Sequence, residues 1–230
     1  MAETALIVGT GVGLSASLAR LFHKEGMRVA LAARKTDKLA ALCAETQAKA
    51  YPCDATNPAA VEKLFASVAS EIGAPDLVVY NPSGRARGPI AELNPAEVLN
   101  AIMVGCYGGF LVGQQAAKAM QQSGHGSILF TGASASVKGF PLSAAFAMGK
   151  FGLRGLAQSM AREWGPKDIH VAHFVIDGAI RQPGDTRDKD RGPDSILEPD
   201  AIAATYLQIH RQHRSAWSAE IELRPWVEKF

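Results

Sequence analysis

The stretch VGTGVGLSASLARLF, residues 8–22, decides the fold of this chain. It begins at the end of a short apolar run, TALIVG, which is typical of a buried strand. The segment LSASLARLF that follows the glycines places its leucines and its phenylalanine on one face of a helix. A glycine-rich turn between a strand and a helix lets the backbone approach a phosphate, which the positive end of the helix stabilises. The stretch therefore predicts the first βα unit of a nucleotide-binding domain.

The glycine spacing narrows the type of phosphate loop. The simple spacing G-x-G-x-x-G fails, because a leucine stands where its third glycine would be. The spacing G-x-x-x-G-x-G fits instead, with serine in the last place. We therefore expect a dinucleotide to contact Gly9, Gly11, Gly13, Leu14 and Ser15. A tight strand–helix turn without a ligand is the alternative.

Apolar runs and helical stripes alternate along the rest of the chain. Further strands are expected at residues 28–34, 48–55, 76–81, 126–134, 169–178 and 219–225. Long helices are expected at 95–121, 142–164 and 199–212. This alternation predicts an α/β fold, a doubly wound, Rossmann-type parallel sheet of about seven strands with helices on both faces, in one domain spanning residues 1–230. The polar segment 181–197 is expected to be a mobile loop that covers the substrate.

Composition and charge exclude several classes of partner. The net charge of +2 gives no basis for binding nucleic acid. The three cysteines lack the spacing of metal ligands, and no metal site is expected; reduced thiols in a reducing, cytoplasmic compartment are the simplest interpretation. The chain enters a strand at once, so no signal peptide is expected. The apolar segment 98–120 contains polar residues and predicts a buried helix rather than a membrane span.

The end of the second predicted strand bears on cofactor choice. Dinucleotide-binding proteins that prefer NAD commonly carry a carboxylate there for the ribose hydroxyls. Ala33 offers none, whereas Arg34 and Lys35 could pair with a 2′-phosphate, for which arginine has a suitable planar fork. The sequence therefore favours NADP over NAD, with a solvated surface arginine as the alternative for Arg34.

With these motifs in place, the chain resembles the short-chain dehydrogenase/reductase family over nearly its whole length. VGTGVGLS is similar to that family's TGxxxGxG loop, CDAT contains its adenine-contacting aspartate, and YNPSG stands where the family has NNAG. IDGAI stands where the family has Pro-Gly and the residues that contact the nicotinamide. The resemblance implies further cofactor contacts at Asp54, Asn81, Gly84, Lys150, Gly178, Ile180 and Gln182.

The departures from the family are concentrated at its catalytic residues. FAMGK stands at the family's YxxxK, so that Phe146 occupies the tyrosine position and Lys150 keeps the lysine. Ala133 stands at the serine position, with Ser134 beside it, and Gly105 at the asparagine position. In the family, the tyrosine exchanges a proton with the substrate, the serine supports the substrate oxygen, and the lysine lowers the tyrosine pKa and bonds the nicotinamide ribose. A positioned acid is worth roughly 10²–10⁴ in rate, so ordinary ketone reduction should be strongly impaired.

Two functions remain open. The leading hypothesis is an NADP(H)-dependent oxidoreductase with a non-standard proton donor, acting on an activated carbonyl or a conjugated C=C bond. Relocated donors are then sought among hydroxyls such as Ser134, Tyr107 and Tyr80, although a packed tyrosine or a loop hydroxyl is the simpler interpretation of each. The alternative is a dinucleotide-binding protein without turnover, serving as a sensor or assembly partner. The resemblance also implies a homodimer or homotetramer, joined through the helices at 95–121 and 142–164.

Overall fold

The computed structural model describes residues 2–189 and 191–228. Its strands are β1 Thr4–Val8, β2 Arg28–Ala33, β3 Lys49–Pro52, β4 Leu77–Tyr80, β5 Gly126–Thr131, β6 Ile169–Ile176 and β7 Glu220–Leu223. They form one sheet in the order β3-β2-β1-β4-β5-β6-β7, and every neighbouring pair is parallel. The order reverses between β1 and β4, and ligands of open α/β sheets bind at such a switch point, outside the carboxyl ends of the strands.

Helices cover both faces of the sheet, which confirms the predicted fold class. They are α1 Leu14–Lys24, α2 Ala40–Thr46, α3 Pro58–Glu71, α4 Pro95–Ile102, α5 Gly108–Ser123, α6 Ala144–Trp164 and α7 Pro199–His210. Side chains of α1, α2 and α7 pack on one face, and those of α3, α5 and α6 pack on the other. Burying each Leu, Ile or Phe in these two layers contributes about 1.5–3 kcal/mol.

Two helices begin with the same local signal, an asparagine followed by proline. The Asn57 Oδ1 accepts a hydrogen bond from the Ala60 amide at 3.0 Å, at the start of α3. The Asn94 Oδ1 accepts one from the Ala96 amide at 2.9 Å, at the start of α4. Such a cap satisfies an amide that has no partner within the helix and contributes about 1 kcal/mol.

Helices α4 and α5 are joined by a π-helical turn, Met103–Tyr107, that the sequence did not predict. The Tyr80 hydroxyl donates to the Val104 carbonyl at 2.6 Å within this turn. The resulting helix, Pro95–Ser123, is long and apolar enough to cross a membrane by length and composition alone. In the structure α5 packs on the sheet with its apolar face, including Val112, Ala116 and Met120, fully buried. It is therefore a core helix of this fold, as predicted.

Candidate active site

The loop between β1 and α1 is fixed by close backbone contacts. Gly9 has φ +88°, and a Cβ on it would lie 2.6 Å from the Pro82 nitrogen, so only glycine fits there. The buried Ser15 hydroxyl donates to the Gly9 carbonyl at 3.1 Å and accepts from the Asn81 side-chain amide at 2.7 Å. The Ser15 hydroxyl therefore holds the loop together, and the backbone of the loop stays available for the predicted ligand contact. Helix α1 begins at Leu14 with no side-chain cap, as a phosphate-binding helix requires.

A cleft at the carboxyl ends of β1 and β2 is called here the β2 cleft. Its polar and charged lining consists of Thr10, Arg34, Lys38, Asp54, Thr56 and Ser83, and Ala33 lies beside Arg34. Both cations are exposed, and neither is within ion-pair distance of a carboxylate in residues 2–189 and 191–228. The β2 cleft thus brings the predicted Ala33, Arg34 and Asp54 together.

The second cation of the β2 cleft was not predicted. Sequence reasoning paired Arg34 with Lys35, but the lining contains Lys38 instead. Lys38 lies in a single 3₁₀ turn, Asp37–Leu39, which begins four residues after β2 ends and places Lys38 in the same cleft as Arg34. A short turn soon after β2 is the sequence feature that could have predicted the position of Lys38.

Asp54 is held as a carboxylate on the far side of the β2 cleft. Its Oδ1 accepts hydrogen bonds from the Thr56 amide at 2.9 Å and the Thr56 hydroxyl at 2.8 Å. These bonds lower the Asp54 pKa below its ordinary value because they favour the ionised form.

A second cleft, here the β5 cleft, lies at the carboxyl ends of β4, β5 and β6. Its polar and charged lining consists of Asn81, Ser83, Arg85, Thr131, Lys150, Gln182 and Arg187. The predicted Ala133, Phe146, Gly178 and Ile180 line it as well. Ser83 belongs to both clefts, so the two adjoin at the switch point of the sheet.

Lys150 is buried in the β5 cleft, with 3% of the residue exposed. Its ammonium donates to the Thr131 carbonyl at 2.7 Å and to the Pro82 carbonyl at 3.4 Å. Of its three N–H groups, one has no partner among the residues that the structure describes. Burial, and then the nearby Arg85, lower the Lys150 pKa to about 8. An exposed helix lysine, the alternative for this position, is excluded.

The positions predicted for the catalytic hydroxyls carry none. Ala133 and Phe146 both line the β5 cleft, and both are partly exposed. The Phe146 ring is covered by Arg85, whose guanidinium carbon lies 4.2 Å from the ring centroid. The Lys150 Nζ lies 5.9 Å from the same centroid. The side of α6 that faces the cleft therefore presents an aromatic ring in contact with one cation and close to a second.

The hydroxyls proposed as relocated donors lie elsewhere. Ser134 is not part of the lining of the β5 cleft, although its neighbour Ala133 is. Tyr80 is fully buried and bonded to the π turn, and Tyr107 stacks on Phe110 with ring centroids 6.1 Å apart. The prediction that one of these groups faces the substrate therefore lacks geometric support.

Two hydroxyls that the sequence analysis did not single out do line the β5 cleft. Thr131 shares a hydrogen bond of 2.9 Å with the Tyr206 hydroxyl and is committed to the core. Ser83 is exposed, and its hydroxyl makes no hydrogen bond within the described parts of the chain. The serine in NPSG, where the family has alanine, is the signal that could have found it.

Two further predicted contacts differ from expectation. A Cβ on Gly84 would lie 2.6 Å from the Ala101 carbonyl oxygen, so Gly84 allows the loop to pack on α4 and lines neither cleft. Gln182 does line the β5 cleft, and its side-chain amide also lies against Gly13, where a Cβ would be 2.9 Å from Nε2. Gln182 thus spans from the β5 cleft to the phosphate loop.

Residues 181–189 and 191–197 contain no helix or strand, and Gln182 and Arg187 among them line the β5 cleft. An isolated parallel bridge between Ile180 and Leu197 closes the base of this segment. Arg181 pairs with Asp188 at 2.7 Å and also with Glu198. Its predicted mobility stays a prediction, and Asp190 lies outside the described residues.

Residues 3–184 match the family model for short chain dehydrogenases. The chain belongs to the short-chain dehydrogenase/reductase family. Its sheet order and the clefts at the carboxyl ends of the strands agree with the fold that the sequence resemblance implied. Within the described residues, no group of three or more His, Cys, Asp or Glu side chains could hold a metal ion.

Similar proteins support the same assignment. An uncharacterised oxidoreductase of Mycobacterium tuberculosis is 32% identical over 236 residues, which cover 96% of this chain and 89% of that protein. The crystal structure of a short-chain dehydrogenase from Rhodopseudomonas palustris is 35% identical, has a TM-score of 0.84 and covers 97% of this chain and 99% of its own. A metagenomic short-chain oxidoreductase in complex with NADP is 27% identical, with a TM-score of 0.84 and 98% of each chain covered. The chain is therefore an oxidoreductase of this family.

Proposed function

We propose that this short-chain dehydrogenase/reductase uses NADP(H) to reduce a small activated substrate without a tyrosine acid. The observation that carries the cofactor choice is the pair of unpaired cations, Arg34 and Lys38, beside Ala33 in the β2 cleft. A 2′-phosphate would be attracted by both, and the arginine fork suits its oxygens. A carboxylate for the ribose hydroxyls of NAD is absent from the Ala33 position. NAD is expected to bind more weakly than NADP.

The residues of the two adjoining clefts fit a dinucleotide. The uncapped start of α1 and the close-packed Gly9 suit the pyrophosphate, and Asp54 suits the adenine end. The remaining N–H of Lys150 suits the hydroxyls of the nicotinamide ribose. The backbone at Gly178 and Ile180, with Gln182 above it, suits the carboxamide. When bound, NADPH supplies the hydride.

Lys150 is the proton source that we favour, with the proton reaching the substrate through the ribose hydroxyl that its free N–H would bond. Its ammonium is fixed by two carbonyl oxygens and lines the cleft from which the hydroxyls of the family positions are missing. With a pKa of about 8 it is charged at neutral pH and yet acidic enough to donate a proton. Without the serine hydroxyl the substrate oxygen has less support, so an activated carbonyl or a conjugated C=C bond is the expected substrate.

A dinucleotide-binding protein without turnover is the second candidate. The absence of hydroxyls at both Ala133 and Phe146 favours it, because both changes remove groups that act only in the reaction. Purified protein with NADPH and a panel of activated carbonyl and enoyl compounds separates the two. Oxidation of NADPH with any member supports the enzyme, whereas tight binding of NADPH with no oxidation across the panel supports the sensor or assembly role.

We also propose a cytoplasmic homodimer or homotetramer. Large apolar side chains are exposed on the helices that the resemblance places at subunit contacts: Tyr107 (36%), Phe110 (41%), Met148 (54%) and Phe151 (44%). The cysteines Cys43, Cys53 and Cys106 are free thiols, which agrees with a reducing compartment. Light scattering of the purified protein gives the assembly state. A monomer at micromolar concentration would contradict the assembly.

A further inference from the structure

The β5 cleft carries more positive charge than hydride transfer requires. Its lining includes Arg85, Lys150 and Arg187, and it includes no aspartate or glutamate among the described residues. Arg187 is neutralised by Asp185, and Lys150 bonds two carbonyl oxygens. Arg85 is different, because it has neither an ion pair nor a hydrogen bond within residues 2–189 and 191–228.

The Arg85 side chain is also held in place by an aromatic ring. Its guanidinium lies over the Phe146 ring, 4.2 Å from the centroid. A cation–π contact with an aromatic ring does not use a hydrogen-bond acceptor, so the N–H donors of the guanidinium stay available for a ligand. An exposed arginine that is held by a ring loses less side-chain freedom when it binds, so the contact favours recognition of an anion.

We propose that Arg85 binds a carboxylate of the substrate, so that the protein reduces a carboxylate-bearing carbonyl or unsaturated compound. The planar edge of one guanidinium matches the two oxygens of a carboxylate, and Arg187, the other arginine of the cleft, is already paired with Asp185. A carboxylate beside a ketone also activates it, which suits a site without the family's hydroxyl pair. The carboxylate site rests on the proposed function, and it names the substrate class of that same cleft.

This assignment gives Phe146 a role of its own. The ring supports the guanidinium, and Lys150 lies on the same side of the cleft, with its Nζ 5.9 Å from the ring centroid. A 2-oxo acid bound with its carboxylate on Arg85 would have its keto oxygen near the other cation. Phe146 is then a positioning residue that acts through Arg85.

A matched pair of probes tests the carboxylate site: benzoylformate and its methyl ester. Both contain an activated ketone, and only benzoylformate carries a carboxylate. We expect kcat/KM with NADPH to favour the acid, and Arg85→Gln to lower the value for the acid about tenfold to a hundredfold, the loss of a hydrogen bond to a charged group. The ester should change less than threefold. Arg85→Lys, which keeps the charge and loses the planar edge, should fall between wild type and Arg85→Gln.

Arg87→Gln is the matched control, because Arg87 is exposed two residues away and lines neither cleft. It should match wild type on both probes. Calorimetric titration of the NADP⁺-saturated protein with each probe gives a readout that is independent of turnover. Binding of the acid that is lost in Arg85→Gln supports the site even if no turnover occurs, while failure to bind NADPH at all would refute the proposed function instead. With NADP⁺ bound, equal affinity for acid and ester, no binding of the acid, or acid binding that Arg85→Gln leaves unchanged would overturn the carboxylate site.

Discussion

The β2 cleft and the β5 cleft adjoin at Ser83 and differ in what they have kept of the family pattern. The β2 cleft keeps its polar groups, with Asp54 fixed as a carboxylate and two cations at the end of β2. The β5 cleft keeps Lys150 but presents methyl and phenyl groups where hydroxyls are expected. If the proposed function is right, cofactor binding and proton transfer are separable in this fold, because the departures from the family pattern lie at the positions for proton transfer.

The same difference appears in how the replaced positions are packed. Ala133 and Phe146 are partly exposed, so a hydroxyl at either position would reach the cleft. Gly105, at the family's asparagine position, is buried in the π turn, and a Cβ on it would lie 3.1 Å from the Gly149 Cα on α6. A side chain there would be in tight contact with the backbone of α6, so the π turn and α6 would have to move slightly apart. A hydroxyl could therefore be introduced at Ala133 or Phe146 by substitution, whereas an asparagine at Gly105 would disturb a close contact with α6.

The largest expected effect comes from removing the buried lysine of the β5 cleft, Lys150. Lys150→Met should lower the rate of NADPH oxidation by about 10²–10⁴, the value of a positioned acid, and weaken NADPH binding. Steady-state kinetics and calorimetry measure the two effects. Lys118→Met, an exposed lysine on α5, is the matched control. Wild-type rate and affinity in Lys150→Met would show that the lysine only fills space.

The Lys150 pKa of about 8 predicts the shape of the pH profile. Proton donation needs the ammonium form, so the rate of reduction should be constant well below pH 8 and fall about tenfold for each unit above it. The fall should be missing from the residual activity of Lys150→Met. A wild-type rate that rises between pH 7 and 9 would contradict Lys150 as the donor.

Restoring the hydroxyls should make the β5 cleft resemble the rest of its family. Phe146→Tyr with Ala133→Ser should increase reduction of neutral activated ketones at least tenfold, on the rule that an acid in place is worth ~10²–10⁴. The double variant should lose less than about 1–2 kcal/mol of stability, because both sites are partly exposed. Each single variant serves as a control. A folded, NADPH-binding double variant with no gain would mean that the cleft has been rebuilt for another chemistry.

The smallest expected change is confined to the β2 cleft. Ala33→Asp should repel the 2′-phosphate beside Arg34 and Lys38 and offer hydrogen bonds to a free ribose. We expect NADPH to bind about tenfold more weakly, or ~1.4 kcal/mol, and NADH more tightly. Titration of wild type and variant with both cofactors measures the change. An unaltered ratio of the two affinities would remove Ala33 and Arg34 from the cofactor assignment.

Most of the fold could be predicted because it depends on local patterns. Most strands are short apolar runs, and the asparagine–proline pairs at 57–58 and 94–95 each supply a cap and a first-turn proline to the helix that follows. The π turn could not be predicted, because it depends on the Tyr80 hydroxyl reaching the Val104 carbonyl from a strand far along the chain. The long helix therefore differs from the uninterrupted one that its composition indicates.

The site residues that belong to a sequence motif could be predicted. Those that reach the site only through the direction of their side chain could not. Lys150, Phe146 and Ala133 follow from their spacing to the motif, and all three line one cleft. Arg85 carries no motif, and its contact with Phe146 joins a loop after β4 to a helix after β5. Residues that are adjacent in sequence can also differ in whether they reach the site: Ala133 lines the β5 cleft, and Ser134 does not.

Binding of NADPH and NADH to the wild-type protein tests most directly whether the β2 cleft is an NADP site. Isothermal titration calorimetry with each cofactor, at one buffer and salt concentration, gives both affinities without any assumption about the substrate. With Arg34 and Lys38 unpaired and no carboxylate at Ala33, we predict NADPH to bind at least tenfold more tightly than NADH. Failure to bind NADPH, or equal or tighter binding of NADH, would contradict the proposed NADP site beside an altered catalytic site.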